Sequence, residues 1–297
     1  MASQAIISDR GHSLEVDAPS LASHRGALAA RLGSLKLGGA GFSFWIQFRG
    51  SSSISAREGR FVLRPGDWIA LDRDSAPEIQ SGRHGLTAGV LVAVASRCQE
   101  PLPGRGHLAP RDLRIALRLW RNGVAASLAD PSAMEQLIRR LEGICQESAS
   151  EHGRRSELTR CPGRSARRKR QVYARLQRAR LFLEGNRHRV VRLGELAELT
   201  SFSSWYLSKT YHEIYEESPQ AASVRLRLER ACELLTETDL AIGEVGAACG
   251  FDNNCSFARA FRKHFGLSAS TFRRRQLAPR SARPNAMLRV TAAQHAT

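Results

Sequence analysis

Between residues 42 and 49 apolar and polar positions alternate, with Phe42, Phe44, Ile46 and Phe48 set against Ser43, Trp45, Gln47 and Arg49. A period of two places those four apolar side chains on one face of a strand. Phe61-Val62-Leu63 and Trp68-Ile69-Ala70-Leu71 flank Arg64-Pro65-Gly66-Asp67, a strand–turn–strand signal. Val90-Leu91-Val92-Ala93-Val94 is a continuous apolar run suited to a strand buried on both faces. These short strands predict a small barrel or a sandwich over residues 1–110.

From residue 111 the period changes to that of a helix, with Leu113, Leu117 and Trp120 in register. Met134, Leu137, Ile138, Leu141 and Ile144, followed by Cys145, then form one apolar stripe. Such a stripe serves either as intradomain core or as a dimer seam. Its place just ahead of a linker makes residues 111–150 a candidate helical extension for dimerisation. Residues 151–170 are basic, small and poor in large apolar side chains, which predicts an interdomain linker. Within them, Arg167-Arg168-Lys169-Arg170 reads as a solvated flank or a phosphate-seeking arm. The tail 277–297, with Pro279 and Pro284 and no period, predicts disorder.

Residues 171–276 are patterned almost wholly as helix and contain a repeat. Leu193, Glu195, Leu196 and Phe202 recur as Ile242, Glu244, Val245 and Phe251 at an offset of 49. Leu207, Lys209, Tyr211 and Ser218 recur as Phe257, Arg259, Phe261 and Ser268 at an offset of 50. Each copy has a short helix, a small residue at a close crossing (Ala197; Gly246) and a turn (Thr200-Ser201; Cys249-Gly250). A polar cap then opens a second helix, Ser203 in one copy and Asp252 or Asn253 in the other. That second helix is apolar on one face (Leu207, Tyr211, Ile214; Phe257, Phe261, Phe265) and polar or basic on the other. This is the grammar of a helix-turn-helix, whose free face enters a major groove. Between the copies, Val224, Leu228, Ala231 and Leu235 mark one face of a long helix over residues 219–235. Its 17 residues would span ~25 Å, a length able to hold two recognition helices about one DNA turn, ~34 Å, apart.

Charge supports the same reading. Residues 1–153 hold 18 Lys/Arg and 15 Asp/Glu, a balance of +3, whereas residues 154–297 hold 27 and 13, a balance of +14. A near-neutral half joined to a strongly basic one points to a polyanion-binding module attached to something else. Six cysteines without a CxxC pair argue against a zinc framework or a disulfide scaffold and for reduced thiols. The chain has no apolar run of spanning length and no basic-then-apolar start, so we expect a cytoplasmic protein without a membrane partner.

Residues ~175–275 resemble the DNA-binding domain of the AraC/XylS family of bacterial transcription regulators. Arg227-Leu228, Ala231, Leu234-Leu235, Ile242-Gly243-Glu244-Val245, Cys249-Gly250-Phe251, Phe257, Arg259, Phe261, Phe265-Gly266 and Phe272-Arg273 carry the resemblance. Glu216 and Ser201 stand where the family has Gly, Ala269 where it has Pro, and Gly246 where it has Ala. Gly243 and Gly246 each weaken a short helix by ~1 kcal/mol relative to Ala. Phe44-Trp45-Ile46-Gln47-Phe48 with Leu63-Arg64-Pro65-Gly66-Asp67 resembles the family's cupin-like sensor barrel. The expected fold class is therefore α+β, a cupin-like barrel with a helical extension followed by two helix-turn-helix units on a long helix.

The resemblance implies a transcription regulator, mostly an activator in this family. Its implied partners are double-stranded promoter DNA, RNA polymerase, a small-molecule effector and a second copy in a homodimer. The positions it brings to DNA are Ser203, Trp205, Ser208 and Lys209 in the first unit. In the second unit they are Asn253, Asn254, Cys255, Ser256 and Arg259, with Arg262 and Lys263 as phosphate contacts. Trp205 would press on a thymine methyl and Arg259 would meet guanine O6 and N7. Two other classes fit less well. A cupin-type metal enzyme needs clustered ligands, yet His84 is the one histidine between residues 40 and 95, and no GxSxG, HExxH or P-loop occurs. We thus expect no catalytic residue, metal or cofactor. A nonspecific nucleic-acid-binding protein would fit the charge but not two ordered recognition helices.

Overall fold

The apolar segments of the first 107 residues become strands β1 (Ala5–Ser8), β2 (Ser13–Asp17), β3 (Arg25–Ala30), β4 (Ser34–Gly38), β5 (Phe42–Arg49), β6 (Ser52–Ala56), β7 (Gly59–Leu63), β8 (Asp67–Leu71), β9 (Glu78–Ser81), β10 (Leu86–Val92) and β11 (Gly104–His107). The structure is a computed structural model describing residues 5–17, 21, 24–39, 41–92, 102–127, 130, 132–148 and 153–277. The tail from 278 on and the end of the Val90–Val94 run lie outside the described residues. The chain divides into two units. One joins residues up to Asn186 with Val191–Ser223, and the other joins Arg187–Val190 with the chain from Val224 on.

In the first unit the strands form two sheets, ordered β1-β3-β10-β5-β8-β11 and β2-β4-β9-β6-β7. Among the described residues no closed barrel is seen; of the two architectures the pattern allowed, a sandwich forms. Trp45, Ile69, Leu71 and Leu91 of the larger sheet pack against Leu35, Leu37, Ile54, Phe61 and Leu63 of the smaller. The alternation in β5 holds, but both of its faces are buried. Phe42, Phe44 and Ile46 point away from the smaller sheet into a second core, built with helices α1 (Pro110–Ala126) and α2 (Ala133–Ser148). The inward polar Gln47 is tolerated because its Oε1 accepts from Thr87 Oγ1 at 2.6 Å, and Thr87 shares a 2.6 Å bond with Ser52.

The stripe on α2 is part of that second core. Met134, Leu137, Ile138 and Leu141 are buried with Trp120, Val124 and Phe44, and Ile144 packs against the same cluster. These side chains are covered within their own chain. The expected seam is therefore core, because the outer face of the larger sheet needs a cover.

The expected linker is also structured. It holds α3 (Gly153–Arg160) and the first turn of α4 (Ala166–Gly185). Its long basic side chains act as struts: Lys169 Nζ donates to Thr159 O at 2.6 Å, and Arg160 Nη2 to Ile214 O at 2.9 Å. Tyr173 Oη donates to Glu157 Oε2 at 2.7 Å. Further along α4, Leu181 enters the core between the sheets. Glu58, wholly buried in the β6–β7 turn, accepts from Ser75 Oγ (2.9 Å) and Arg178 Nε (3.1 Å). Arg178 Nη1 also lies 3.4 Å from Asp74 and 3.8 Å from Asp72. Asn186 Nδ2 donates to Glu58 O at 2.9 Å. A Cβ on Gly185 would stand 2.4 Å from Glu58 O, so the helix reaches the turn only as glycine. The sandwich and α4 are one body.

Helices α5 (Leu193–Thr200) and α6 (Ser204–Tyr215) complete the first unit, and α7 (Pro219–Glu237) continues unbroken into the second. There α7 packs with α8 (Ile242–Ala248), α9 (Asn254–Phe265) and α10 (Ala269–Leu277). Leu228, Ala231 and Leu235 are buried as expected, whereas Val224 is 36% exposed. Among the described residues all five cysteines are free thiols, and burial pushes Cys161 and Cys249 up to about 11 and Cys232 to about 12. No helix among the described residues is long and apolar enough to cross a membrane.

Candidate nucleic-acid interface

The repeat is realised as two helix-turn-helix units of matching local chemistry. Glu195 Oε1 accepts from the Arg192 N–H at 2.8 Å, and Glu244 Oε2 from the Ala241 N–H at 2.7 Å. The repeated glutamate is thus the third helical residue closing back on the cap of α5 and of α8. Ser203 caps α6 by accepting from Tyr206 N at 3.2 Å. Asn253, not Asp252, caps α9, accepting from Ser256 N at 2.8 Å. The residue that lengthens the second copy, Asp252, falls in the turn before the cap.

Packing explains one departure from the family pattern. Gly246 faces the Phe257 ring, and a Cβ there would stand 3.0 Å from ring carbon Cγ. The first copy sets Ala197 and Leu207 at the matching positions, so a smaller helix residue accompanies a larger core residue. The helix α8 forms despite its two glycines, with Val245 and Cys249 buried against Phe257 and Phe261. Two of the other departures carry strain. After α5 and α6 the chain turns through left-handed Ser201 (φ 52°) and Glu216 (φ 59°), where the second copy places Gly250 (φ 74°) and Gly266 (φ 72°). A non-glycine residue in this region costs about 1–2 kcal/mol. Ser201→Gly is expected to raise stability by about 1 kcal/mol. Glu216→Gly should gain less, because the Glu216–Arg160 pair at 2.8 Å is lost. Thermal unfolding of the two variants checks the order.

On α6, Leu207, Tyr211 and Ile214 are buried, and the opposite face carries the expected set. Trp205 is 70% exposed, so it does not pack into its own domain. Lys209 Nζ lies 5.1 Å over the Trp205 ring and 4.0 Å from Glu213 Oε1. Ser208 is half-buried and Ser203 is exposed beside them. On α9, Phe257 and Phe261 are buried in a chain of aromatic contacts with Phe251, Phe265 and Phe272. Asn253, Asn254, Cys255, Arg259, Arg262 and Lys263 are exposed, and Ser256 is half-buried with its Oγ donating to Asn253 O at 2.8 Å. Arg259 Nε leans back to Cys255 O at 3.4 Å, and among the described residues it forms no ion pair with Asp252. Arg262 and Lys263 lie in the last turn, where they also complement the helix dipole.

Three further arginines contribute. Arg227 is buried, its guanidinium 4.4 Å over the Phe251 ring and its Nη1 donating to Gly250 O at 2.9 Å. It holds the turn of the second unit from α7, and burial draws its pKa below the ordinary arginine value. Arg168 and Arg175, on α4, line an open hollow of ≈ 410 Å³ with Ser201, Phe202, Ser203, Trp205 and Tyr206. The basic run at 167–170 hinted at the first; nothing local marked the second. Among the described residues no cluster of three His, Cys, Asp or Glu side chains has metal-binding proximity.

A family model described as "Helix-turn-helix domain" matches residues 196–275. The MmsAB operon regulatory protein of Pseudomonas aeruginosa is 32% identical over 94 residues, 32% of this chain and 31% of that protein. The transcriptional regulator ArgR of the same species is 27% identical over 164 residues, 55% of this chain and 45% of its own length. The chain spans less than half the length of either relative. A solved structure described as a probable AraC family transcriptional regulator from Rhodopseudomonas palustris is 29% identical, covering 37% of this chain and 98% of that one with a TM-score of 0.33.

Proposed function

We infer that the chain is a sequence-specific transcription regulator of the AraC/XylS type that reads double-stranded promoter DNA with α6 and α9, supported by the helix-turn-helix match over residues 196–275. The observation that carries the reading is a pair of capped helices, each buried on its apolar face and offering bare polar and basic side chains on the other. An indole 70% exposed on α6 has no packing role to explain it. It suits a thymine methyl, and the guanidinium of Arg259 suits guanine O6 and N7. Ser203, Ser208, Lys209, Asn253, Asn254, Cys255 and Ser256 complete the reading surface, while Arg262 and Lys263 meet phosphates.

The remaining parts of the reading rest on the family likeness: activation through RNA polymerase, a small-molecule effector held by a cupin-like sensor, and a homodimer. A dimer would use a surface other than the α2 stripe, which is core.

Selection of bound sequences by the full chain, followed by competition binding, tests the proposal. Trp205→Ala and Arg259→Ala should each relax preference at a different position of the site, at about 1–3 kcal/mol. Arg262→Ala should weaken all sequences alike. Selection of no consensus, or equal losses on every sequence for all three variants, overturns it in favour of a nonspecific binder.

A further inference from the structure

Resting on that reading, we propose that the hollow between α4 and the start of α6 is a phosphate clamp, with Arg175 and Arg168 gripping one phosphate of the DNA backbone beside the base pair met by Trp205. The hollow is lined by two arginines, two serines and three aromatic side chains, with no carboxylate among them. That composition suits an anion flanked by a sugar, and disfavours a cation or a neutral polar solute.

Arg175 is already oriented. Its guanidinium lies 5.2 Å over the Phe202 ring, with Nη1 3.5 Å from Ser201 O. Stacking fixes the plane of the fork, so less rotamer freedom remains to be lost on gripping a phosphate. Arg168 sits at the third residue of α4, its backbone N–H held by Ser165 Oγ at 3.2 Å. Its stem lies against Gly163, where a Cβ would stand 2.9 Å from Arg168 Cγ. Both arginines are solvent-exposed, and among the described residues neither forms an ion pair with a carboxylate. Trp205 lines the same hollow, so a phosphate there is adjacent to whatever its indole touches.

Such a clamp positions the duplex without reading it. It also gives the helix that belongs to the sandwich body a direct hold on DNA, since Leu181 and Arg178 of the same helix are seated in that body.

The test uses the full chain, its selected site and a scrambled duplex, with affinity measured across a salt series. Arg175→Ala and Arg168→Ala should each weaken both duplexes by about ten-fold. Replacing both together should flatten the log–log salt slope by about 0.9, and each alone by a part of that. Arg175→Lys should keep the slope and lose part of the affinity. A site carrying a single methylphosphonate at the clamped position should bind wild type more weakly and abolish the effect of Arg175→Ala. Thermal unfolding of each variant separates lost contacts from lost fold. An unchanged slope in both alanine variants, with the consensus still selected, overturns the clamp alone. Failure of the wild type to select any sequence overturns the regulator reading and the clamp with it.

Discussion

Arg178→Ala is expected to destabilise the sandwich unit by about 3–5 kcal/mol, the range for breaking a buried ion pair from one side. Glu58 has no exposed surface, and its carboxylate meets Ser75 Oγ and the Arg178 guanidinium. Removing the cation leaves that carboxylate buried with one hydroxyl as donor. Asp72 and Asp74, 3.8 and 3.4 Å from Nη1, would then face it without a counter-ion. Denaturant unfolding of the full chain measures the loss. The control is Arg178→Met with Glu58→Gln, which removes both charges and should recover much of the difference. A single variant no worse than the double would show that the pair contributes nothing to folding.

Leu141→Asp is expected to unfold the same unit. Leu141 is buried among Trp120, Phe44 and Ile138, so the substitution opens a cavity and buries a charge together. The combined cost exceeds ~4 kcal/mol, against a total stability of ~5–15 kcal/mol. Circular dichroism should show loss of the cooperative transition. A seam residue would behave differently, giving a folded monomer with weakened DNA binding. That outcome would return the α2 stripe to the role of an interface.

The two stripes illustrate what the chain's patterning can and cannot announce. A helical apolar period at Met134–Ile144 says that something covers it, not whether the cover is its own sheet or another chain. The strand at Phe42–Arg49 has the opposite difficulty. Ser43 and Gln47 marked its second face as polar, yet both are buried: Thr87 and Ser52 arrive from distant strands to satisfy Gln47, while Ser43 Oγ has no hydrogen-bond partner among the described residues. The helix-turn-helix units were legible because their determinants are local: a cap, a glutamate three residues on, and an apolar period within one helix. The segment 151–170 was not. Its order comes from Lys169 and Arg160 reaching backbone carbonyls, which a reading by composition counts only as solvated charge. Glu58 and Arg178 are 120 residues apart, so no window contains both. Arg175 missed notice for a similar reason, since its place depends on Phe202 in another helix.

The close approach of Gly185 to Gly59 bears on how this chain can be recombined with others. A hybrid cut at the basic run near residue 170 would take Leu181, Arg178 and Gly185 away from the sandwich that houses them. The orphaned sandwich would expose an apolar hole at Phe61 and Leu63 and a carboxylate without its cation. A transplanted α4, meeting a foreign sandwich, would bring an arginine with no acidic pocket to enter. Portable boundaries therefore lie outside residues 153–186. A sandwich exchanged between such proteins carries its own α4, or else the recipient must supply a glycine and three carboxylates where Gly59, Glu58, Asp72 and Asp74 now stand.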